Sequence, residues 1–289
     1  MTFTNILYPV DFSERCRTFA PFVNAEVKRH DAALTLVHFV EIPALWYGSA
    51  EAPCAPDLNI GTLIVEAGER LTLFAKDLFP GIHARMVVEE GDAGSRIVEM
   101  ARESGFDLIM MPTQGSGRFR AALLGSVTAK VLHDSECAVW TAAHAGSPEY
   151  SASPEWRHVV CAVDSTPDAL PLIRFAGEMA SGYGAAVHLV HALPPPPGSR
   201  MEQYLGRDFD AFLKDSARQA IGTMQKEAGT DFRLCIEAGK VSSIVAEVAR
   251  KDEADLVLIG RGVLPHFGGR LRTHVYSIVR DAPCPVLSI

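Results

Sequence analysis

One pattern of residues occurs twice in this chain of 289 residues. Near the start stands Ile6-Leu-Tyr-Pro-Val-Asp11, and Val159-Val-Cys-Ala-Val-Asp164 follows with its aspartate 153 residues later. His38 and His191 lie in matching apolar runs at the same offset. Solenoid repeats have periods of about 20 to 50 residues, and this period is far longer. The sequence therefore predicts a duplicated domain.

A stretch of small polar residues separates the two copies. It contains Gly146-Ser-Pro-Glu-Tyr-Ser-Ala-Ser-Pro154, a composition typical of a linker. We therefore predict one domain over 1–142, a linker over 143–155 and a second domain over 156–289. Each copy also closes on a Cys-x-Val segment, with its cysteine at Cys137 or Cys284.

Signals for strands and helices alternate in both copies. The first copy predicts strands over 5–10, 33–40, 82–88, 107–111 and 138–141. Its helices are predicted from a cap at Ser13 to about residue 30, over 58–78, from Asp92 or Ser95 to about residue 104, and over 126–133. The second copy predicts strands over 158–163, 185–191, 232–236, 255–259 and 285–289. This alternation indicates an α/β fold with a parallel sheet and helices on both faces.

The carboxyl ends of parallel strands are where such sheets bind ligands, at the point where the strand order reverses. In the first copy, the candidate positions are the end of the first strand, at Asp11, and the loop after the fourth strand. Asp11 is suited to accept a hydrogen bond from an exocyclic amine or from a ribose hydroxyl.

Composition argues against several classes of partner. The formal net charge is −8, which gives no general attraction to nucleic acid or to an anionic membrane. The opening segment has no basic stretch followed by a long apolar one, and no apolar run reaches the ~18 residues of a membrane span. We expect a soluble, cytoplasmic protein.

The six cysteines are scattered without CxxC spacing, which favours free, buried thiols over disulfides or a zinc site.

The loop after the fourth predicted strand is rich in glycine. Gly115, Gly117 and Gly125 would let backbone N–H groups approach phosphate oxygens that a side chain would block. Ser126 would add a hydroxyl donor at the positive end of the next helix. On glycine content alone, a phosphate-binding loop and a tight turn before an ordinary helix cap fit equally well.

Motifs for other chemistry are missing from the sequence. It has no His-Glu-x-x-His, Walker-type loop or Gly-x-Ser-x-Gly elbow. An efficient transferase is therefore not expected, and slow ATP hydrolysis stays open. Because His38 and His191 occupy matching positions in both copies, we expect them to share a structural role rather than a catalytic one.

The spacing of the loop resembles the nucleotide loop of universal stress proteins, in which Gly, two residues, Gly, nine residues and Gly precede Ser or Thr. The segment here is Pro112-x2-Gly115-x9-Gly125-Ser126, which departs from the pattern at Pro112 alone. The opening run to Ser13 is also similar to the first strand and turn of that family. The resemblance covers both copies.

This resemblance implies two flavodoxin-like or Rossmann-like domains, each with five parallel strands in the order 3-2-1-4-5. It implies adenine near Asp11 and the backbone around Phe39, with the phosphates against Gly115, Gly117, Gly125 and Ser126. The implied ligand is ATP, with or without Mg²⁺. Pro112 offers no N–H and has a fixed φ, which would lower affinity if that glycine's N–H or a positive φ is required.

The corresponding loop of the second copy has lost this spacing. Gly260 restores the first glycine, Val263 replaces the second, and Arg272 or Thr273 stands at the third. Bulky residues there would crowd a phosphate, so we expect no ATP in the second domain. Asp164 is kept at the end of the strand, where it also fits a turn.

The leading function is an ATP-binding stress or signalling protein that a protein partner, not identified by the sequence, recognises. A nucleotide-free interaction scaffold and a weak ATP hydrolase are the alternatives. The resemblance also implies that the two domains pair within the chain through the strands at 138–141 and 285–289, and it leaves a homodimer open.

Overall fold

The computed structural model describes residues 2–42, 59–113, 124–142, 156–193, 200–261 and 270–289. The chain divides into two compact units, whose bulk is Thr2–Trp140 and Pro154–Ile289. The linker predicted over 143–155 lies outside the described residues, so the domain boundaries stay a prediction. Among the helices in the described ranges, none has the length and apolar character needed to cross a bilayer.

Strands and helices alternate through the first unit. Its strands are β1 Asn5–Pro9, β2 Ala33–Val40, β3 Ala84–Glu90, β4 Leu108–Pro112 and β5 Ala138–Ala142. Its helices are α1 Glu14–His30, α2 Ile60–Leu78, α3 Ala93–Glu103 and α4 Ser126–Asp134.

The second unit follows the same plan. Its strands are β6 His158–Ala162, β7 Ala186–Leu193, β8 Arg233–Ala238, β9 Leu256–Ile259 and β10 Val286–Ser288. A 3-10 turn at Pro167–Ala169 precedes its helices, which are α5 Leu170–Tyr183, α6 Arg200–Ala228, α7 Val241–Lys251 and α8 Arg270–Asp281.

The strand order in the first unit is β3-β2-β1-β4-β5, and in the second it is β8-β7-β6-β9-β10. The β1–β2, β1–β4 and β2–β3 pairs are parallel, as are their counterparts in the second unit. In the first unit α1 packs against α2 and α3 against α4. Right-handed crossovers place these two helix pairs on opposite faces of the sheet. The predicted α/β class is confirmed.

Polar side chains at the helix starts explain why the helices begin where they do. Ser13 precedes α1 in an extended conformation and accepts a hydrogen bond from the Cys16 amide. Asp92 caps α3 through its bond from Ser95 N, at 2.9 Å. Each cap satisfies one of the amides that the first helical turn leaves without an internal acceptor.

Most predicted strand boundaries were wrong by one or two residues, and two of them have a clear physical reason. The third strand was predicted over 82–88 and is observed at Ala84–Glu90, because residues 79–82 form a turn with Gly81 at φ +80°. The fourth was predicted to end before Pro112, which is instead its last, buried residue. Proline fits the end of a strand when its missing N–H is not needed by the ladder.

Aromatic side chains fill the core of the first unit. Tyr8, Phe19, Phe74 and Phe79 are almost completely buried. The Tyr8 ring centroid lies 5.9 Å from that of Phe19 and 6.0 Å from that of Phe79. Phe19 also packs against Trp140, at 5.2 Å. This packing fixes β1 against α1 and α2, and thereby fixes the turn that follows β1.

The repeated histidines make the same hydrogen bond in both units. His38 Nδ1 lies 2.7 Å from the Val10 carbonyl oxygen, and His191 Nδ1 lies 2.9 Å from that of Val163. Each carbonyl belongs to the residue just after the first strand of its unit. The expected shared structural role is thus confirmed. Both imidazoles hold the end of that strand through a hydrogen bond to this carbonyl oxygen.

Replacing His191 with leucine should destabilise the protein, because the Val163 carbonyl would lose its donor in a buried place. We expect the free energy of unfolding to fall by about 1–3 kcal/mol in urea titrations at neutral pH. His158→Leu is the matched control, since His158 is exposed at the start of β6 and should change stability by less than about 0.5 kcal/mol. Equal stability of the two variants would contradict the structural role.

Candidate functional site

The ends of β1 and β4 lie side by side in the first unit. Ile6 pairs with Leu108 and Leu7 with Ile109, so the turn after β1 and the loop after β4 leave the sheet at the same edge. From β1 the chain continues to β2 on one side of this point, and from β4 it continues to β5 on the other side. This is the position at which an open α/β sheet forms a crevice for a ligand.

Asp11 is held in a tight turn after β1. Its Oδ1 accepts a hydrogen bond from Ser13 N at 3.0 Å and another from Cys16 Sγ at 3.0 Å. Ser13 Oγ in turn accepts from Cys16 N at 3.3 Å. The half-buried carboxylate is therefore oriented by the first turn of α1.

The sequence did not suggest a role for Cys16. Its side chain is buried, and its backbone carbonyl accepts a hydrogen bond from the Tyr8 hydroxyl at 2.6 Å. Burial, and then the charge of Asp11, raise the pKa of the Cys16 thiol to about 12. The thiol is consequently protonated at neutral pH and acts as a donor to Asp11. The available signal was its position three residues after the Ser13 cap.

Phe12, next to Asp11, adopts a left-handed backbone conformation with φ at 60°. A bulky side chain rarely takes this conformation. The Phe12 ring centroid lies 4.5 Å from that of His38 and 6.2 Å from that of Phe74. The exposed Arg70 of α2 places its guanidinium carbon 4.2 Å from the same centroid. These contacts hold Phe12 in its unusual conformation.

Phe39 lies where β2 continues past the end of β1. The two strands pair up to Pro9 and Val37, and Val10 N donates to Val37 O at 2.8 Å. Alternate residues of a strand direct their backbone N–H and C=O groups to the same neighbour. The N–H and C=O of Phe39 therefore point towards the side where β1 has ended, while its side chain is buried.

The start of α4 is tied to the end of β4. Gly125 N donates to Thr113 O at 2.9 Å, and Thr128 Oγ1 donates to Pro112 O at 3.1 Å. Gly125 occupies the N-cap position with φ −65° and ψ 147°, and it provides no side-chain cap. Ser126, the first helical residue, is exposed. The predicted phosphate contacts Gly115 and Gly117 lie outside the described residues.

The structure thus gathers part of the predicted site in one place. Asp11, Phe39, Gly125 and Ser126 lie at the carboxyl ends of β1, β2 and β4 or at the helix that follows. Within the described ranges, no three side chains of His, Cys, Asp or Glu come together as a metal site would require. The chemistry available is hydrogen bonding from backbone and side chains, together with the positive end of α4.

The second unit offers an internal comparison. Asp164 Oδ1 accepts from Thr166 N at 2.8 Å and from Thr166 Oγ1 at 2.6 Å, so Asp164 acts as a turn residue. Ala169 replaces Cys16 at the repeat offset of 153 residues. Arg261, which corresponds to Thr113, is buried. Val263 lies outside the described residues.

Alkaline pH should lower the free energy of unfolding through the buried Cys16 thiol. The unfolded Cys16 thiol loses its proton near its ordinary pKa of 9, whereas the folded thiol keeps it to about 12. Its stabilising contribution is therefore complete below pH 9 and is lost as pH rises towards 12. Over that window the free energy of unfolding of wild type should fall more steeply than that of Cys16→Ser, by up to about 1.4 kcal/mol per pH unit. Urea titrations between pH 8 and 10.5 measure this difference, and equal slopes would contradict it.

Comparison with known proteins agrees with this geometry. The sequence model of the Universal stress protein family matches residues 2–142 and 155–289. Universal stress protein Sll1654 of Synechocystis is 33% identical over 140 residues, which are 47% of this chain and 83% of that protein. Universal stress protein A homolog 1 of Coxiella burnetii is 23% identical over 143 residues, or 46% of this chain and 96% of that protein.

The fold of the whole chain is also found among solved structures. A universal stress protein from Archaeoglobus fulgidus has a TM-score of 0.66 at 21% identity, covering 98% of this chain and 95% of its own. At that identity, the likeness concerns the fold alone. The family pattern, however, matches nearly the whole chain in two successive copies. This chain therefore belongs to the universal stress protein family and carries two of the family's domains in tandem.

Proposed function

We propose that the first unit binds an adenine nucleotide, in the leading case ATP with or without Mg²⁺, and that the bound state is recognised by a protein partner in stress signalling. The observation that carries the proposal is the tie between Gly125 and Thr113. It brings the open start of α4 to the end of β4, beside β1, which Asp11 closely follows. Groups suited to a base, a ribose and phosphates then share one edge of the sheet.

The backbone of Phe39 would bind the adenine base. An N–H and a C=O that point past the end of β1 match the ring nitrogen and the exocyclic amine of adenine, which need one donor and one acceptor. Asp11 would accept a hydrogen bond from a ribose hydroxyl or from the amine. Its carboxylate is already oriented by Ser13 and Cys16, so less freedom is lost when the ligand binds.

The start of α4 would serve the phosphates. A nine-residue helix whose N-cap is glycine leaves its first amides and its positive end available to an anion. Ser126 is exposed there and would add its hydroxyl. The spacing Pro112-x2-Gly115-x9-Gly125-Ser126 would bring further backbone amides from the loop.

Pro112 does not stand against this proposal on conformational grounds. Its counterpart Gly260 does not adopt a positive φ, although glycine is free to do so. Among the described residues, the atom nearest to a Cβ added at Gly260 would be one of Leu172, at 3.5 Å, which is an ordinary contact. In the described part of the second unit, neither the backbone angle nor the space at this position requires glycine. What Pro112 removes is one N–H donor.

The second unit would act as a structural partner without nucleotide. Its loop lacks the family spacing, and the buried Arg261 stands where the first unit has Thr113. One nucleotide per chain is the expected stoichiometry. Pairing of the two units through β5 and β10 stays a prediction of the sequence. A nucleotide-free scaffold and a slow ATP hydrolase are the alternative functions.

Replacing Gly125 with aspartate should weaken nucleotide binding without lowering the stability of the fold. An Asp side chain at the N-cap would accept from the amides of α4, so the apo protein should be equally stable or more stable by a few tenths of a kcal/mol. The same carboxylate would fill the anion position and repel phosphates. We expect Gly125→Asp to weaken Mg-ATP binding at least about tenfold in calorimetric titration and to leave adenosine binding within about twofold.

Lys240→Asp is the matched control, because Lys240 holds the N-cap position of α7 without a side-chain cap. It should leave Mg-ATP affinity unchanged. Absence of ATP binding by the folded wild type would select the scaffold, and steady phosphate release by the bound protein would select the hydrolase. Equal ATP affinity of Gly125→Asp and wild type would place the phosphates elsewhere.

A further inference from the structure

We propose that Cys16 is a positioning residue, whose thiol fixes the Asp11 carboxylate for contact with the nucleotide in the first unit. The inference rests on the proposed nucleotide binding and assigns a further residue to that same site. Cys16 itself is buried and would not touch the ligand. It would act through Asp11, which lies at the end of β1.

Hydrogen bonds connect Asp11, Ser13 and Cys16. Cys16 Sγ and Ser13 N both donate to Oδ1 of Asp11, each at 3.0 Å. Cys16 N donates to Ser13 Oγ at 3.3 Å. Two donors on one oxygen set the rotation of the carboxylate as well as its place, since a single donor would leave it free to turn.

The core of the first unit holds Cys16 in place. The Tyr8 hydroxyl donates to the Cys16 carbonyl at 2.6 Å, and Tyr8 is completely buried among Phe19, Phe74 and Phe79. The backbone from which the thiol projects is therefore tied to the aromatic core. The raised pKa of Cys16 means that the sulfur carries its proton at neutral pH, as a donor to Asp11 must.

The second unit shows what is required for folding alone. Asp164 makes the same kind of turn with Thr166, and His191 ties the strand end as His38 does. These shared features are sufficient to end the strand and start the next helix. Ala169 stands at the position of Cys16 and has no donor to offer, and the second donor to Asp164 Oδ1 is Thr166 Oγ1, at 2.6 Å. In the unit that keeps the family spacing of the loop, the aspartate takes its second donor from the Cys16 thiol instead.

Calorimetric titration of the full chain with Mg-ATP tests this role. Cys16→Ala should weaken binding about three- to tenfold, because the carboxylate is no longer held for its ligand. Cys16→Ser restores a donor and should bind within about twofold of wild type. In the Asp11→Ala background, Cys16→Ala should have no further effect, because the group that it positions is gone. Cys161→Ala removes a buried thiol of the second unit and should lower stability without changing affinity.

The outcomes separate this inference from the proposed function. If wild type does not bind Mg-ATP, both are overturned. If wild type binds and Cys16→Ala binds equally well, only the positioning role is overturned. Equal weakening in Cys16→Ala and Cys16→Ser, or a Cys16→Ala effect that persists in full without Asp11, would assign Cys16 to packing. Rescue by serine together with loss of the effect in the double variant supports positioning.

Discussion

The parallel arrangement of the strands is the constraint on which the site depends. Parallel neighbours cannot be joined by a short hairpin, so each connection returns through a helix and every strand ends at the same edge. In the first unit this places the residues after β1, β2 and β4 together, although Asp11, Phe39 and Gly125 are far apart in the chain. Hydrogen bonds then fix the residues that follow the strands. His38 bonds to the Val10 carbonyl after β1, and Gly125 N donates to the Thr113 carbonyl after β4.

Duplication lets structural and functional features be told apart within one molecule. A feature that both units keep is explained by the fold that they share. The imidazole-to-carbonyl bond of His38 and His191 belongs to this class, as does the aspartate turn after the first strand. A feature found in one unit needs another explanation. Cys16 and Arg70 belong to that second class, because Ala169 replaces Cys16 and the second unit lacks the Phe12 ring that Arg70 covers.

Much of the fold could be predicted from the sequence because its signals are local. Ser13 and Asp92 cap helices as predicted, and β2 has the predicted bounds. The end of β4 was harder to predict, since proline usually marks a loop and its tolerance here depends on which neighbour the strand edge faces. Ile82 and His83 were also predicted as strand, but the turn with Gly81 at φ +80° delays the strand to Ala84.

The site was predicted less completely, because side-chain contacts depend on distances that spacing alone does not give. Asp11 and Ser126 follow from strand ends and helix starts. The bond from Cys16 to Asp11 depends on how α1 leaves the Ser13 cap, and Arg70 comes from a helix about 60 residues away. Neither Cys16 nor Arg70 belongs to a sequence motif that would indicate its contact.

The strained conformation of Phe12 is not repeated at the corresponding residue of the second unit. A phenylalanine at φ 60° costs about 1 kcal/mol or more relative to an ordinary backbone, and strain of this kind persists where surrounding contacts enforce it. The His38 ring and the Arg70 guanidinium supply those contacts. Ser165 stands at the corresponding position of the second unit and takes no positive φ, so the fold does not require the strained turn. The strain at Phe12 thus sets the path of the chain directly beside Asp11, as the proposed nucleotide site would need.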